Sequence, residues 1–236
     1  MKAVVLAAGK GVRLRPLTDK VPKVMVKVKG KPLLERILDK LVEVKIEEIF
    51  LVVGYKKEVI EKYFGNEFKG IPVKYLVQER QLGTANAIGL AKDYIKGNFL
   101  VLNGDVLVES YLFKELGAVD EFDPYDAVVV GRMVKDPWRY GVIVAENNEI
   151  KRIVEKPEPG KEPSNIINAG IYRFNEKIFS AIKMTPVSSR EEYEIVDSIK
   201  LLIEAGTKIG LKVYDGLCLD IGDADDLKKA EEILQE

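Results

Sequence analysis

Val4-Val5-Leu6-Ala7-Ala8-Gly9-Lys10-Gly11-Val12-Arg13-Leu14-Arg15-Pro16 begins as an apolar, β-type run, breaks at Gly9 into a short basic loop, and is followed by Pro22-Lys23. Gly9 and Gly11, one residue apart, let backbone N–H groups approach a ligand with no Cβ in the way. Arg13, Arg15 and Lys23 gather positive charge near the same loop, with no acidic residue before Asp19. A strand end that opens into a glycine-rich basic loop is a place to hold phosphates. The same residues would also serve as a tight turn whose charges face solvent.

Two phosphate loops are excluded at once. The dinucleotide fingerprint needs a third glycine where this chain has Leu14, and the P-loop needs Ser or Thr after Gly-Lys where this chain has Gly11. What remains is Gly-x-Gly-x-Arg-Leu-x-Pro-Leu-Thr with Pro-Lys a few residues on.

Composition narrows the chemistry. Over 236 residues, about half apolar and a third charged, the chain has ample length for a buried core. A formal charge of −1 provides no global field for nucleic acid, so any anion site must be local. Cys218 is the single cysteine, which excludes an internal disulfide and a zinc cluster. There is no histidine, which removes Ser-His, Cys-His and most zinc-enzyme chemistries. Catalysis must therefore run on carboxylates, lysines and arginines, with or without a metal. No signal-type segment precedes the strand pattern at Lys2, and no apolar run approaches the length of a membrane span, so a cytoplasmic protein is the expectation.

Beyond the loop, the pattern predicts alternating helices and strands. Pro32 opens a helix with Leu34, Ile37, Leu38, Leu41 and Val42 on one face, and Lys56 to Phe64 reads as a second. A third, from Gly83, carries Ala87, Ile88, Ala91, Tyr94 and Ile95. Between them lie strands at 49–53, 73–77 and 99–102. Such βαβ units imply a parallel sheet with ligands outside the strands' carboxyl ends, where the loops 9–23, 78–84 and 103–105 all fall. Strands at 127–133, 140–144, 150–154 and 169–174 follow, with helices at 178–183 and 195–205. Strands at 209–214 and 218–221 and a final helix at 224–234 complete the pattern. The join between the two halves is expected at Glu121–Asp126.

Asn103-Gly104-Asp105 is the second chemical signal. An Asp at a strand's carboxyl end presents the hard oxygen ligand that Mg²⁺ accepts, although a turn residue or helix cap would look the same. A glycosyltransferase of the nucleotide-sugar type would offer Asp-x-Asp here, and this chain does not.

The opening motif resembles that of the sugar-1-phosphate nucleotidylyltransferases, in particular the glucose-1-phosphate thymidylyl- and uridylyltransferases. Further matches fall in that family's order: Gln78 with Leu82-Gly83-Thr84-Ala85, Arg139-Tyr140-Gly141-Val142, Glu155-Lys156-Pro157, Asn168-Ala169-Gly170-Ile171-Tyr172 and Asp220-Ile221-Gly222. Val12 departs from the usual Thr or Ser, which loses a hydroxyl contact to phosphate.

The resemblance implies a Rossmann-like α/β fold, an open mixed, mostly parallel sheet flanked by helices. It implies one domain over 1–236, with a nucleotide-binding half at 1–120 and a sugar-binding half at 121–236. Leu6, Ala8, Gly9, Gly11, Gln78, Gly83, Thr84 and Gly104 would bind the nucleotide, with Arg13 and Lys23 as the catalytic cations. Gly141, Glu155, Lys156, Asn168 and Gly170 would hold the sugar phosphate, and Asp105 and Asp220 would hold Mg²⁺. The substrates would be an NTP and a sugar 1-phosphate, with no nucleic acid or membrane partner and an undetermined oligomeric state. With the chain ending at Glu236, the repeat-built extensions of some relatives are not expected.

Gln78 points to the base: one donor and one acceptor match the edge shared by uracil and thymine. UTP or dTTP is therefore favoured; glucose 1-phosphate is favoured only as the resemblance implies, since Glu155, Asn168 and Gly141 would serve several hexoses. Cytidylyl or guanylyl transfer to another phosphate, such as mannose 1-phosphate, is the rival within the class. A catalytically silent regulatory paralogue is the rival outside it, although such a copy would be expected to have lost Lys23, Arg13 or a metal carboxylate.

Overall fold

Most of the apolar runs become strands and the amphipathic runs become helices. In the computed structural model, which describes residues 1–118 and 124–234, the order begins with β1 (Lys2–Ala7), β2 (Lys27–Val28), β3 (Lys31–Pro32) and α1 (Leu33–Glu43). It continues with β4 (Glu48–Val53), α2 (Lys57–Phe64), β5 (Glu67–Phe68), β6 (Ile71–Val77), α3 (Thr84–Gly89), β7 (Phe99–Asn103), β8 (Val106–Val108) and α4 (Ser110–Gly117). Then come β9 (Ala127–Met133), β10 (Gly141–Glu146), β11 (Glu149–Glu155), β12 (Ile166–Phe174), α5 (Lys177–Met184) and α6 (Ile195–Glu204). The chain finishes with β13 (Ile209–Val213), β14 (Cys218–Asp220) and α7 (Ala224–Ile233). This is a mixed α/β fold. Among the described residues no helix is long and apolar enough to cross a membrane.

Two compact units share the chain. The first comprises Met1–Gln81, Leu102–Glu115 and Gly216–Glu236; the second comprises Leu82–Val101 and Leu116–Asp215. Of the expected join at Glu121–Asp126, residues 121–123 lie outside the described residues.

In the first unit β1 pairs parallel with β4, and β4 parallel with β6. The cores of β1 and β4 are buried on both faces (Ala3 to Val5, Ile49 to Val53), which explains their uninterrupted apolar sequence. Helix α1 buries Leu33, Leu34, Ile37, Leu38 and Leu41 along one stripe, and Pro32 precedes it with a fixed φ of −54° at no cost in hydrogen bonds. A separate core joins Leu14 of the basic loop to Val28, Leu33, Leu107, Ile221 and Ala230. Each large side chain buried there contributes about 1.5–3 kcal/mol. The antiparallel pair β8–β14 supplies Leu107 and leads directly into Ile221.

In the second unit β9 lies between β12, antiparallel, and β13, parallel, while β10 and β11 form an antiparallel pair. Phe99 stacks on Phe179 at 5.4 Å, and Phe174 stacks on Tyr172 at 5.0 Å. A buried hydroxyl pair, Thr185 with Ser198 at 2.6 Å, joins the end of α5 to α6.

The structure differs from the pattern in one long helix and in several short elements. The helix expected from Gly83 to Ile95 ends at Gly89, a poor helix former, and a 3₁₀ turn at Lys92–Tyr94 follows. The two-residue strands β2, β3 and β5 and the three-residue strand β8 are too short to carry a periodicity, and helix α4 is likewise outside the expected pattern.

Candidate active site

The first unit gathers the basic loop and both acidic motifs. Gly11 sits at φ 65° and starts a 3₁₀ turn over Val12–Leu14, pinned by buried Leu14, whose N–H donates to the Gly11 carbonyl at 3.0 Å. The Thr18 hydroxyl donates to the same carbonyl at 2.8 Å. With that carbonyl turned inward, Gly9 and Lys10 remain exposed at the loop's outer side. Lys23 opens a second 3₁₀ turn, Lys23–Met25, anchored by buried Val24 and Met25.

Asp105 follows a close backbone contact: the Gly104 N–H donates to the Leu6 carbonyl at 2.8 Å, and a Cβ on Gly104 would stand 2.7 Å from that oxygen. Only glycine allows this approach, which ties the 103–105 turn to β1. Ala8, buried after β1, accepts from the Gln81 side-chain amide at 2.6 Å. Asp220 arrives through β14, opposite Val106, and the next N–H, of Ile221, donates to the Asp105 carbonyl at 3.0 Å.

The two carboxylates meet on one cation. Lys23 Nζ donates to Asp105 Oδ2 and lies 3.9 Å from Asp220 Oδ1. Lys23 and Asp105 are mostly buried and the Asp220 side chain is 45% exposed. Partial burial, then the nearby Asp105 charge, raise the Asp220 carboxyl above its ordinary value, against the lowering influence of Lys23. Among the described residues no three His, Cys, Asp or Glu form a metal cluster. Two convergent carboxylates nonetheless match the one or two that Mg²⁺ takes from protein when phosphates and water complete its shell.

Arg13 is exposed, with its guanidinium beside Gly222, where a Cβ would stand 3.2 Å from Nη2 and from Asp226 Oδ2. Asp226 accepts from the Gly222 N–H at 3.0 Å and closes a capping box with Asp223 at the start of α7. Gln78, 7% exposed, follows β6 and donates its N–H to the Val53 carbonyl at 2.8 Å. It borders an opening of about 350 Å³ with Lys10, Gly54, Tyr55, Val77 and Gln81. Gly54, the glycine that ends the apolar strand β4, was not among the expected site residues.

The second unit carries the remaining candidates. Gly83 has φ 99°, and a Cβ there would lie 2.5 Å from the Tyr193 carbonyl oxygen. The Thr84 hydroxyl accepts the Ile195 N–H at 2.9 Å, so both residues join the segment before α6 to α3. Gly141 stands opposite Glu155 in the β10–β11 register, and a Cβ at 141 would be 2.9 Å from Glu155 Oε2. Lys156 is exposed with φ 43°, a left-handed conformation unusual for lysine, and its N–H donates to the Tyr140 carbonyl at 3.0 Å.

Strand β12 shifts register between Asn168 and Tyr172, where Gly170 has φ 72°. Asn168 Oδ1 accepts the Gly170 N–H at 3.0 Å, and its amide donates to the Tyr172 hydroxyl at 2.8 Å. Burial pushes the Tyr172 phenol up. Arg190 lies 3.4 Å from Glu155 and 2.7 Å from Glu194. Burial raises the Glu194 carboxyl, with Arg190 opposing. Arg190 and Glu194 were not singled out from sequence.

Each unit thus presents a polar set: a cationic loop with two carboxylates in one, and a Glu-Asn-Arg group beside strained backbone in the other. The family model for nucleotidyl transferases matches residues 2–236. A UTP–glucose-1-phosphate uridylyltransferase, AglF, of Haloferax volcanii is 42% identical over 100% of this chain and 97% of its own length. The bifunctional protein GlmU of Methanocaldococcus jannaschii is 43% identical over 99% of this chain and 54% of its own, so the chain spans about half of that relative. A solved UDP-glucose pyrophosphorylase complexed with UDP-glucose superposes with a TM-score of 0.88 at 25% identity, over 98% of this chain and 97% of that one. The chain belongs to the sugar-1-phosphate nucleotidylyltransferases, enzymes that transfer a nucleotidyl group from an NTP to a sugar 1-phosphate.

Proposed function

We propose that this enzyme transfers a uridylyl or thymidylyl group to glucose 1-phosphate and releases pyrophosphate. The observation that carries the assignment of roles is the convergence of Asp105 and Asp220 on Lys23, beside the Gly11 loop. The nucleophile is a sugar-phosphate oxygen already ionised at neutral pH. It forms a bond to the α-phosphorus as the bond to the bridging oxygen breaks, and pyrophosphate carries the electron pair away. No general base is required, in keeping with a chain that has no histidine.

The barrier is to bring two polyanions together, and positioning with charge neutralisation lowers it. The Gly9–Gly11 backbone and Arg13 hold the β- and γ-phosphates, Lys23 holds the α-phosphate and Lys156 places the attacking phosphate. Asp105 and Asp220 hold Mg²⁺, which when bound neutralises phosphate charge. Glu155 and Asn168 orient sugar hydroxyls, and Arg190, beside Glu155, adds a cation to that group. Leu6, Ala8 and Gly104 line the nucleotide end, and Gln78 reads the base.

The name of the Haloferax volcanii relative supports uridylyl transfer to glucose 1-phosphate. A cytoplasmic setting agrees with the single, buried cysteine. The test is pyrophosphate release by purified protein with five NTPs and a panel of hexose and amino-sugar 1-phosphates. UTP and dTTP should lead with glucose 1-phosphate. CTP or GTP used better than both would overturn the base assignment and leave the family unchanged.

A further inference from the structure

Lys23 is engaged where two of its proposed partners need to be. Its ammonium sits between Asp105 and Asp220, the two carboxylates that the proposed function gives to the metal. Its own proposed partner there is the α-phosphate. From this geometry we infer that Lys23 is the resting occupant of the two-carboxylate site, and that nucleotide and divalent cation bind as a coupled pair. The nucleotide's α-phosphate draws the ammonium away, and Asp105 and Asp220 are then released to the metal. This rests on the metal and phosphate roles proposed above.

The surroundings favour an exchange of partners. The Lys23 and Asp105 side chains are 13% and 19% exposed, so water screens the pair poorly, and a divalent cation arriving beside the ammonium would meet like charge at close range. The lysine backbone cannot move to relieve this. Its turn is fixed by the Val26 N–H donating to the Lys23 carbonyl at 3.0 Å, by buried Val24 and Met25, and by Gly11 packed against Cβ. The long side chain has rotatable bonds beyond that packed base and carries a point charge that serves carboxylate or phosphate equally well. Two carboxylates side by side need a counter-charge in the nucleotide-free protein, and Lys23 supplies it. The coupling must be reciprocal: whatever factor the nucleotide adds to metal affinity, the metal adds to nucleotide affinity.

Mn²⁺ binding followed by electron paramagnetic resonance tests this without turnover. In nucleotide-free protein, Lys23→Met should bind Mn²⁺ at least about tenfold more tightly than wild type, and Lys23→Arg should bind as weakly as wild type, a change within the usual range of coupling. Uridine monophosphate, which presents an α-phosphate and chelates Mn²⁺ weakly, should tighten Mn²⁺ binding to wild type and leave Lys23→Met unaffected. The inference is overturned if Lys23→Met binds Mn²⁺ no better than wild type, or if the monophosphate shifts both proteins equally. Adding Asp105→Asn or Asp220→Asn to Lys23→Met separates the two levels. Loss of Mn²⁺ binding there upholds the carboxylates as metal ligands whatever Lys23 does. Retention in both would refute the metal assignment itself.

Discussion

Gly11 lies against the stem of Lys23 so closely that a β-carbon at position 11 would stand 2.6 Å from Lys23 Cβ and 3.0 Å from Cγ. The glycine also has φ 65°, a conformation that side chains adopt at a cost. Gly11→Ala should therefore displace the lysine as well as strain the loop. The expected stability loss is about 1–3 kcal/mol, and turnover should fall by roughly 100-fold, as misplacing a reacting contact by an ångström can do. Pyrophosphate release and a thermal melt measure the two effects; wild-type turnover would show that Gly11 does not set the position of Lys23.

Lys23→Ala and Arg13→Ala should each leave a folded protein with turnover reduced by roughly two to three orders of magnitude, the usual loss for one transition-state charge contact. Neither side chain belongs to the apolar core. Near-wild-type pyrophosphate release by Lys23→Ala would end the phosphate-loop assignment.

Activity should require a divalent cation, and Asp105→Asn should raise the Mg²⁺ concentration needed for half-maximal rate. A titration of rate against Mg²⁺ for wild type, Asp105→Asn and Asp220→Asn reads this directly. Full activity in EDTA would remove the metal from the mechanism.

On α1, Asp39 accepts from Lys31 at 2.8 Å and from Lys69 at 2.6 Å. Burial alone would raise its carboxyl, but the two lysines hold it below the ordinary value of 3.8. A depressed carboxylate contributes stability above its unfolded value and loses it as pH falls through the folded value. Asp39→Asn should cost about 0.5–1 kcal/mol at pH 7, the scale of a partly exposed ion pair. The gap to wild type should close as pH falls below 3.8. Urea melts across that range would expose a pH-independent gap, which would mean the charge is not the cause.

The loops were legible because local sequence dictates them: Gly11 and Gly104 mark places where a side chain would collide with packed neighbours. The buried strands were legible because β1 and β4 are covered on both faces and leave no alternation to confuse. Helix α3 was overrun because Ala87, Ile88 and Ala91 keep a helical spacing past Gly89, where the backbone has already turned. Arg190 could not be found from sequence, since what sets it apart from other charged surface residues is Glu155, 35 positions earlier in the chain. Asp220 carried little signal of its own; its place beside Asp105 follows from the pairing of β14 with β8, a contact between stretches more than a hundred residues apart.

The first unit is completed by the segment Gly216–Glu236. During synthesis, Leu14, Val28, Leu33 and Leu107 leave the ribosome well before Ile221 and Ala230, the residues that close their core. The earliest-made half of the unit must therefore wait with apolar surface uncovered, a condition in which nascent chains call on chaperones. Asp220 emerges on the same late segment, so the carboxylate pair forms only when that core closes. A polypeptide that stopped before residue 216 would lack both the cover for its core and half of its acidic pair.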